Sequence, residues 1–241
     1  MLRRISEIEG YAIRAQDENV GKVVDFLFDD ETWALRWVVV DTGGWLSGRR
    51  VLLPISVLGT NDTLRHLYSV RLTMLQVKNS PDVDTDRPVS REIEESIFEH
   101  YGRPHDRRAA HHRRGDDDAL LRSVASVVGY HIRAVDGEIG HVADFLVDDA
   151  DWHIRSLLVD TRNWWPGNSV LIAPQAVREI DWPQRLVTLG LDRQQVQDSP
   201  GYVPAMTVTP AAEVQSGGDD DGEPLHERQR PLHNQQPFDS M

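Results

Sequence analysis

The sequence predicts an all-β protein: two tandem copies of one small β-barrel module, each with a short closing helix, joined by a helical, charged linker and followed by a disordered acidic tail. Three observations predict it. The chain repeats itself over a long stretch, the repeated segments are short, β-branched or aromatic and bounded by turn residues, and the last forty or so residues are too polar to build a core.

The repeat sets GYAIRAQDENVGKVVDFLFDDETWALRWVVVDTGGWLSGRRVLL at 10–53 over GYHIRAVDGEIGHVADFLVDDADWHIRSLLVDTRNWWPGNSVLI at 129–172, and half of the aligned positions are identical. The offset is 119, and LTMLQVKNSP ending at Pro81 meets LDRQQVQDSP ending at Pro200 at the same offset, with an apparent extra residue near Ala173 absorbed between. These limits give a first module at 1–86, a linker at 87–122, a second module at 123–203 and a tail at 204–241.

Within the first copy, Val20 to Phe28 reads as a strand, Asp29 to Thr32 as a turn, Ala34 to Asp41 as its partner and Arg50 to Pro54 as a further strand. Polar clusters at 41–44 and 59–63 supply turns, for five or six strands per copy. In ALRWVVVDT both alternating faces are largely apolar, which marks a central strand, whereas its repeat HIRSLLVDT puts Ser156 in the place of Trp37 and predicts a less buried face there. Leu72 to Asn79 carries helical spacing before the Ser80-Pro81 stop and predicts the closing helix. Between the modules a helix is expected over about 90–101, with Ser90 as N-cap, acids in the first turns and Ile93 and Ile97 as a thin apolar stripe. The following RPHDRRAAHHRRGDDD has no apolar period and reads as a charged linker.

The chain has no cysteine, which removes disulfides, thiolate metal sites and thiol nucleophiles and fits a reducing, cytoplasmic setting. MLRRISEIEG turns polar before an apolar signal region forms, and no run approaches the roughly 18 apolar residues of a membrane helix. The net charge is −13, and the tail sets Arg228 and Arg230 against seven acids, so sequence-independent nucleic-acid binding is disfavoured. No G-x-S-x-G elbow, P-loop or dinucleotide fingerprint occurs, and the reading is of a protein that is not an enzyme and calls for no cofactor.

The opening G-x-x-I-R-x-x-D, the strand VGKVVDFLFDD, the run WALRWVVVDTGGWLSGRRVLLP and the closing LTMLQVKNSP together resemble the PRC-barrel family, named for the cytoplasmic domain of the photosynthetic reaction-centre H subunit. PVSREIEESIFEHYG is similar to the segment that follows the first barrel in stand-alone tandem bacterial members. The resemblance implies a small closed barrel that serves as a protein-interaction or assembly surface. By resemblance alone it points to the photosynthetic light reactions and electron transport, where the H subunit supports quinone-side chemistry without performing it. An RNA-processing or ribosome-assembly adaptor is the reading implied by the ribosome maturation factors. A metal- or small-ligand-binding stress or sensor protein is the alternative drawn from the residues themselves.

That alternative rests on Asp25, Asp29 and Asp30, which recur as Asp144, Asp148 and Asp149; clustered carboxylates suit hard cations, but the spacing matches no metal loop and Asp at a hairpin turn is ordinary, so no metal ligand is assigned. The retained pairs Asp25 with Arg36 and Asp144 with Arg155 are expected instead as structural ion pairs across the hairpin. Trp33 and Trp152 are expected to plug the barrel ends, while Trp45, Leu46, Trp164 and Trp165, in the loop after a strand, are the candidates for contact with an unknown protein partner. His100, His105, His111 and His112 lack the spacing of a metal site. Two copies of one module can also pack on each other within the chain or as a homodimer.

Overall fold

A computed structural model describes residues 1–81, 91–102, 121–161, 165 and 169–202; 82–90, 103–120, 162–164, 166–168 and 203–241 lie outside the described residues. Met1–Val203 forms one compact unit.

The first half contains β1 (Leu2–Arg4), β2 (Ala12–Arg14), β3 (Asn19–Phe28), β4 (Leu35–Asp41), β5 (Arg50–Pro54), β6 (Leu58–Asp62), β7 (Leu67–Val70) and α1 (Met74–Lys78). α2 (Arg91–His100) follows. The second half repeats the series as β8 (Arg122–Ser123), α3 (Val124–Val127), β9 (His131–Ala134), β10 (Gly137–Asp148), β11 (His153–Asp160), β12 (Ser169–Ile172), β13 (Val177–Asp181), β14 (Leu186–Leu189) and α4 (Arg193–Gln197). The protein is mostly β, in two seven-stranded sheets. One runs β5-β4-β3-β2-β7-β6 and the other β12-β11-β10-β9-β14-β13. Among the described residues no ladder joins β5 to β6 or β12 to β13, so each barrel wall is a hydrogen-bonded path with two ends.

The offset of 119 holds without interruption: β2 meets β7 in parallel as Ala12↔Leu67, and β9 meets β14 as His131↔Leu186. Pro54 therefore corresponds to Ala173, and the extra residue expected there does not exist. Glycine is required at the same place in both copies. Gly21 and Gly140 have φ of +151° and +150°, and a Cβ on them would lie 2.1 Å from the Asp41 carbonyl oxygen and 1.9 Å from that of Asp160. At these points the long strands β3 and β10 bend close against their neighbours.

The expected central strand is confirmed, since β4 pairs with β3 on one side and β5 on the other. The closing helices begin with capping boxes, Thr73 with Gln76 and Asp192 with Gln195. α2 lies where the linker helix was expected, and it is part of the first core: Ile97 is fully buried and the Phe98 ring lies 4.6 Å from that of Trp37.

The seventh strand of each sheet comes from the other half. β1 pairs with β10, with Arg3↔Val147 and Arg4↔Leu146, while β8 pairs with β3, with Phe28↔Arg122 and Leu27↔Ser123. Subtracting the offset turns one set of pairs into the other, so the two modules exchange strands reciprocally. The expected limit at 122/123 thus falls inside an exchanged strand.

Candidate functional site

The junction between the modules is the most elaborated site in the described residues. Its centre is the pair Ala34↔His153, a bridge between the two hairpin tips. These residues are repeat mates of each other, so a twofold relation passes between them. Around them the Leu35 amide donates to the Trp152 carbonyl and the Ile154 amide to the Trp33 carbonyl, both at 2.8 Å. Trp33 and Trp152, each with φ of +58°, end the tight turns after Asp29 and Asp148. Trp152 lies against Phe26 and Tyr68 of the opposite half, at 6.2 and 5.9 Å between ring centres. It is an inter-module contact rather than a plug for its own barrel.

The repeated carboxylates serve the same junction. Asp25 accepts from the Ser123 hydroxyl, from the Ala125 amide at 3.0 Å and from the Phe26 amide at 2.7 Å. Asp144 accepts from the Ser6 hydroxyl, from the Ser6 amide at 3.3 Å and from the Phe145 amide at 2.8 Å. Ser6 and Ala125 are repeat mates, so the backbone half of this arrangement is reciprocal; the hydroxyl comes from Ser6 on one side and from Ser123 on the other. Burial pushes the Asp25 carboxyl above its ordinary range, against the pull of its three hydrogen bonds and of Arg50.

The ion pairs expected across the hairpins are not formed. The register sets Asp25 opposite Val39, away from Arg36, whose guanidinium lies 5.9 Å from the centre of the Phe98 ring. Asp144 faces Leu158, and Arg155 bonds Asp151 and approaches Asp148 at 3.6 Å. The bulges between Val23 and Asp25 and between Val142 and Asp144 shift the register and aim each carboxylate at the other module.

The remaining repeated acids are also engaged. Asp29 closes its own turn by accepting from the Glu31 and Thr32 amides, and Asp30 pairs with Arg122 at 2.8 Å, with both side chains largely buried. Asp148 and Asp149 hold the Met1 ammonium at 2.9 and 2.7 Å. Among the described residues no group of three or more His, Asp or Glu could hold a metal ion. Arg3, the mate of Arg122, is buried against Tyr11 and Tyr68, donating to their hydroxyls at 2.7 and 3.3 Å. Burial raises the Tyr68 phenol to about 12.

Sequence reasoning missed Arg3, Arg122, Ser6 and Ser123. The signal was present: LRRISEIEG at 2–10 lies over LRSVASVVG at 121–129 at the same offset, so the repeat begins eight residues before Gly10.

Comparison with known proteins bears on the first module. Residues 2–73 match the model of the PRC-barrel domain family. The chain carries a PRC-barrel domain. That match starts at β1, the strand given to the opposite sheet, and the second PRC-type module follows from the repeat and its matching elements. An uncharacterized protein of Deinococcus radiodurans is 26% identical over 179 residues, which cover 74% of this chain and 52% of the relative, so the chain spans about half the length of the protein it matches.

The loops beyond the PRC-barrel junction hold the other candidates. The Trp45 indole N–H donates to the Val20 carbonyl at 2.9 Å, and Trp45, Leu46 and Trp165 are part-buried against the core. Trp164 lies outside the described residues. A cleft of about 360 Å³ opens between Asp30–Trp33 of the first module and His153–Arg155 and Pro174–Val177 of the second. Of the histidines that lack the spacing of a metal site, His100 bonds the Gln76 carbonyl at 2.8 Å, and His105, His111 and His112 lie outside the described residues. No helix among the described residues is long and apolar enough to cross a membrane.

Proposed function

We propose that this protein is a non-catalytic PRC-barrel adaptor of the cytoplasm, in which two modules locked together by strand exchange present a pre-organised surface to a protein partner. One observation carries the reading: the repeated carboxylates Asp25, Asp30, Asp144, Asp148 and Asp149, the material from which a metal or catalytic site would be built, are occupied in holding the modules together. That counts against the sensor alternative.

The contact surface proposed is the pair of loops that follow β4 and β11, with Trp45 and Leu46 on one and Trp164 and Trp165 on the other. An aromatic side chain tied by a hydrogen bond and half covered, as Trp45 is, loses little conformational freedom on binding, the property that favours Trp as an anchor. Assembly with a photosynthetic or RNA-processing complex would be a particular case of this role and rests on family likeness alone.

The test is affinity capture from native extract with wild type beside Leu46→Glu and Trp165→Ala, after matched melting curves for all three. Partners held by wild type and lost by both variants support the adaptor reading. Identical capture with and without the loop residues removes these loops from it, and no capture in any lane sinks it.

A further inference from the structure

The junction has a property that a contact between unrelated surfaces lacks, which is that the two halves meet through equivalent backbone positions. β1 and β8 are repeat mates and add to repeat-mate segments of β10 and β3 in the same register. Asp25 and Asp144 each accept a hydroxyl and the amide of residue 6 or its mate 125. The bridge at the centre joins Ala34 to its own mate His153. An interface of this kind is self-complementary, and self-complementary interfaces close into twofold dimers. The modules need not come from one chain.

Residue 9 breaks the equivalence. Glu9 sits between Ser6, whose amide donates to Asp144, and Gly10, whose amide donates at 2.9 Å to the carbonyl of Val23, two residues before Asp25; it feels the negative charge of both aspartates, and its mate is Val128, which is 40% exposed. In the pair as built, the charge of one Glu9 adds to that of two aspartates. Pairing two first modules would gather two Glu9 and two Asp25 carboxylates at one junction, and like charges held close repel. Pairing unlike modules adds no charge to the arrangement already present.

We infer that the pairing face fits a second copy of this chain, with the first module of one molecule joined to the second module of the other, and that Glu9 excludes the pairing of two first modules. Residues 103–120 between α2 and β8 could span at most about 65 Å when extended, at roughly 3.3–3.6 Å per residue, a reach on the scale of a domain. The same tether gives the intramolecular pair a high effective concentration, so exchange is favoured at high protein concentration and during folding.

The chain has no cysteine, so introduced thiols report on pairing without interference. Ala34 and His153 face each other as a non-hydrogen-bonded pair, the closer kind in antiparallel strands. The double variant Ala34→Cys/His153→Cys of the full chain should close a bond within one molecule, and failure to do so overturns the geometry. Full-length Ala34→Cys and His153→Cys, one carrying a mass tag, are then denatured together, refolded at high concentration and oxidised. The expected product is a covalent dimer joining Cys at 34 to Cys at 153, in excess over the 34–34 dimer beyond what random collision gives. Adding Glu9→Val to the Ala34→Cys chain should raise the 34–34 dimer several-fold. Absence of any covalent dimer, with the double variant still closing internally, refutes exchange between chains. A 34–34 dimer as abundant as the mixed one, or one indifferent to Glu9→Val, refutes the role of Glu9.

Discussion

Trp37 and Ser156 hold the same position in β4 and β11, and the two modules treat that position differently. Trp37 is fully buried beneath α2, with Phe98 on its ring, whereas Ser156 is part-exposed, opposite Leu146 in its own sheet. Burying a Trp requires a cover, and the first module takes its cover from chain outside the repeat. A Ser at the same place needs none. α2 is therefore structural for the first barrel, whereas the matching position of the second is left part-exposed.

The largest test of this difference is truncation at the paired positions. Trp37→Ala should cost about 3–5 kcal/mol, the range for removing a fully buried large aromatic, whereas Ser156→Ala should stay within about 0.5 kcal/mol of wild type. Urea denaturation of both variants measures it. Equal losses would mean that the two faces are equally packed and that α2 adds nothing to the first.

A second comparison sets Asp25 beside Asp144. Either one changed to Ala strands a hydroxyl and an amide supplied by the opposite module, at a cost of about 1–3 kcal/mol in each case. Because the modules share strands, both variants should still unfold in one transition. Two separate transitions, one per module, would show that strand exchange does not couple them. Arg36→Ala, which leaves the carboxylate's partners in place, serves as the contrast and should not loosen the junction.

These contrasts also mark what was legible in the sequence. The repeat, the central strand with Trp37, the closing helices and the linker helix all depend on local pattern, on apolar period and on capping residues such as Thr73, and they could be read directly. The pairing of the modules could not, because Asp25 looks the same whether it meets Arg36 across its own hairpin or Ser123 from a strand about a hundred residues away. The single-residue bulge before Asp25 decides between them, and nothing in VGKVVDF announces a bulge. For Trp33 and Trp152 the difficulty was similar. Turn geometry with positive φ at a Trp is uncommon, so a place inside the barrel was the natural expectation, and the inter-module hydrogen bonds that hold the turns appear only in three dimensions.

The smallest effect expected is a pH dependence specific to the junction. Burial raises the folded-state pKa of Asp25, and burial with the nearby charges of Asp25 and Asp144 raises that of Glu9. A carboxyl whose pKa is higher folded than unfolded binds its proton more tightly in the folded state. Its contribution is fully present below the unfolded value and is lost as pH rises through the folded one. The difference in melting temperature between wild type and Asp25→Asn/Glu9→Gln should therefore move in favour of wild type as pH falls from neutral into the carboxylate range. Taking the difference cancels the carboxylates common to both proteins, including Asp148, whose pKa is lowered mainly by its hydrogen bond to the Met1 ammonium and which works in the opposite sense. A difference that is flat with pH, or that moves in favour of the variant on acidification, would mean that the junction does not disfavour the charged forms of these two carboxyls, and the case for one module refusing another of its own kind would then rest on the thiol-pairing experiment alone.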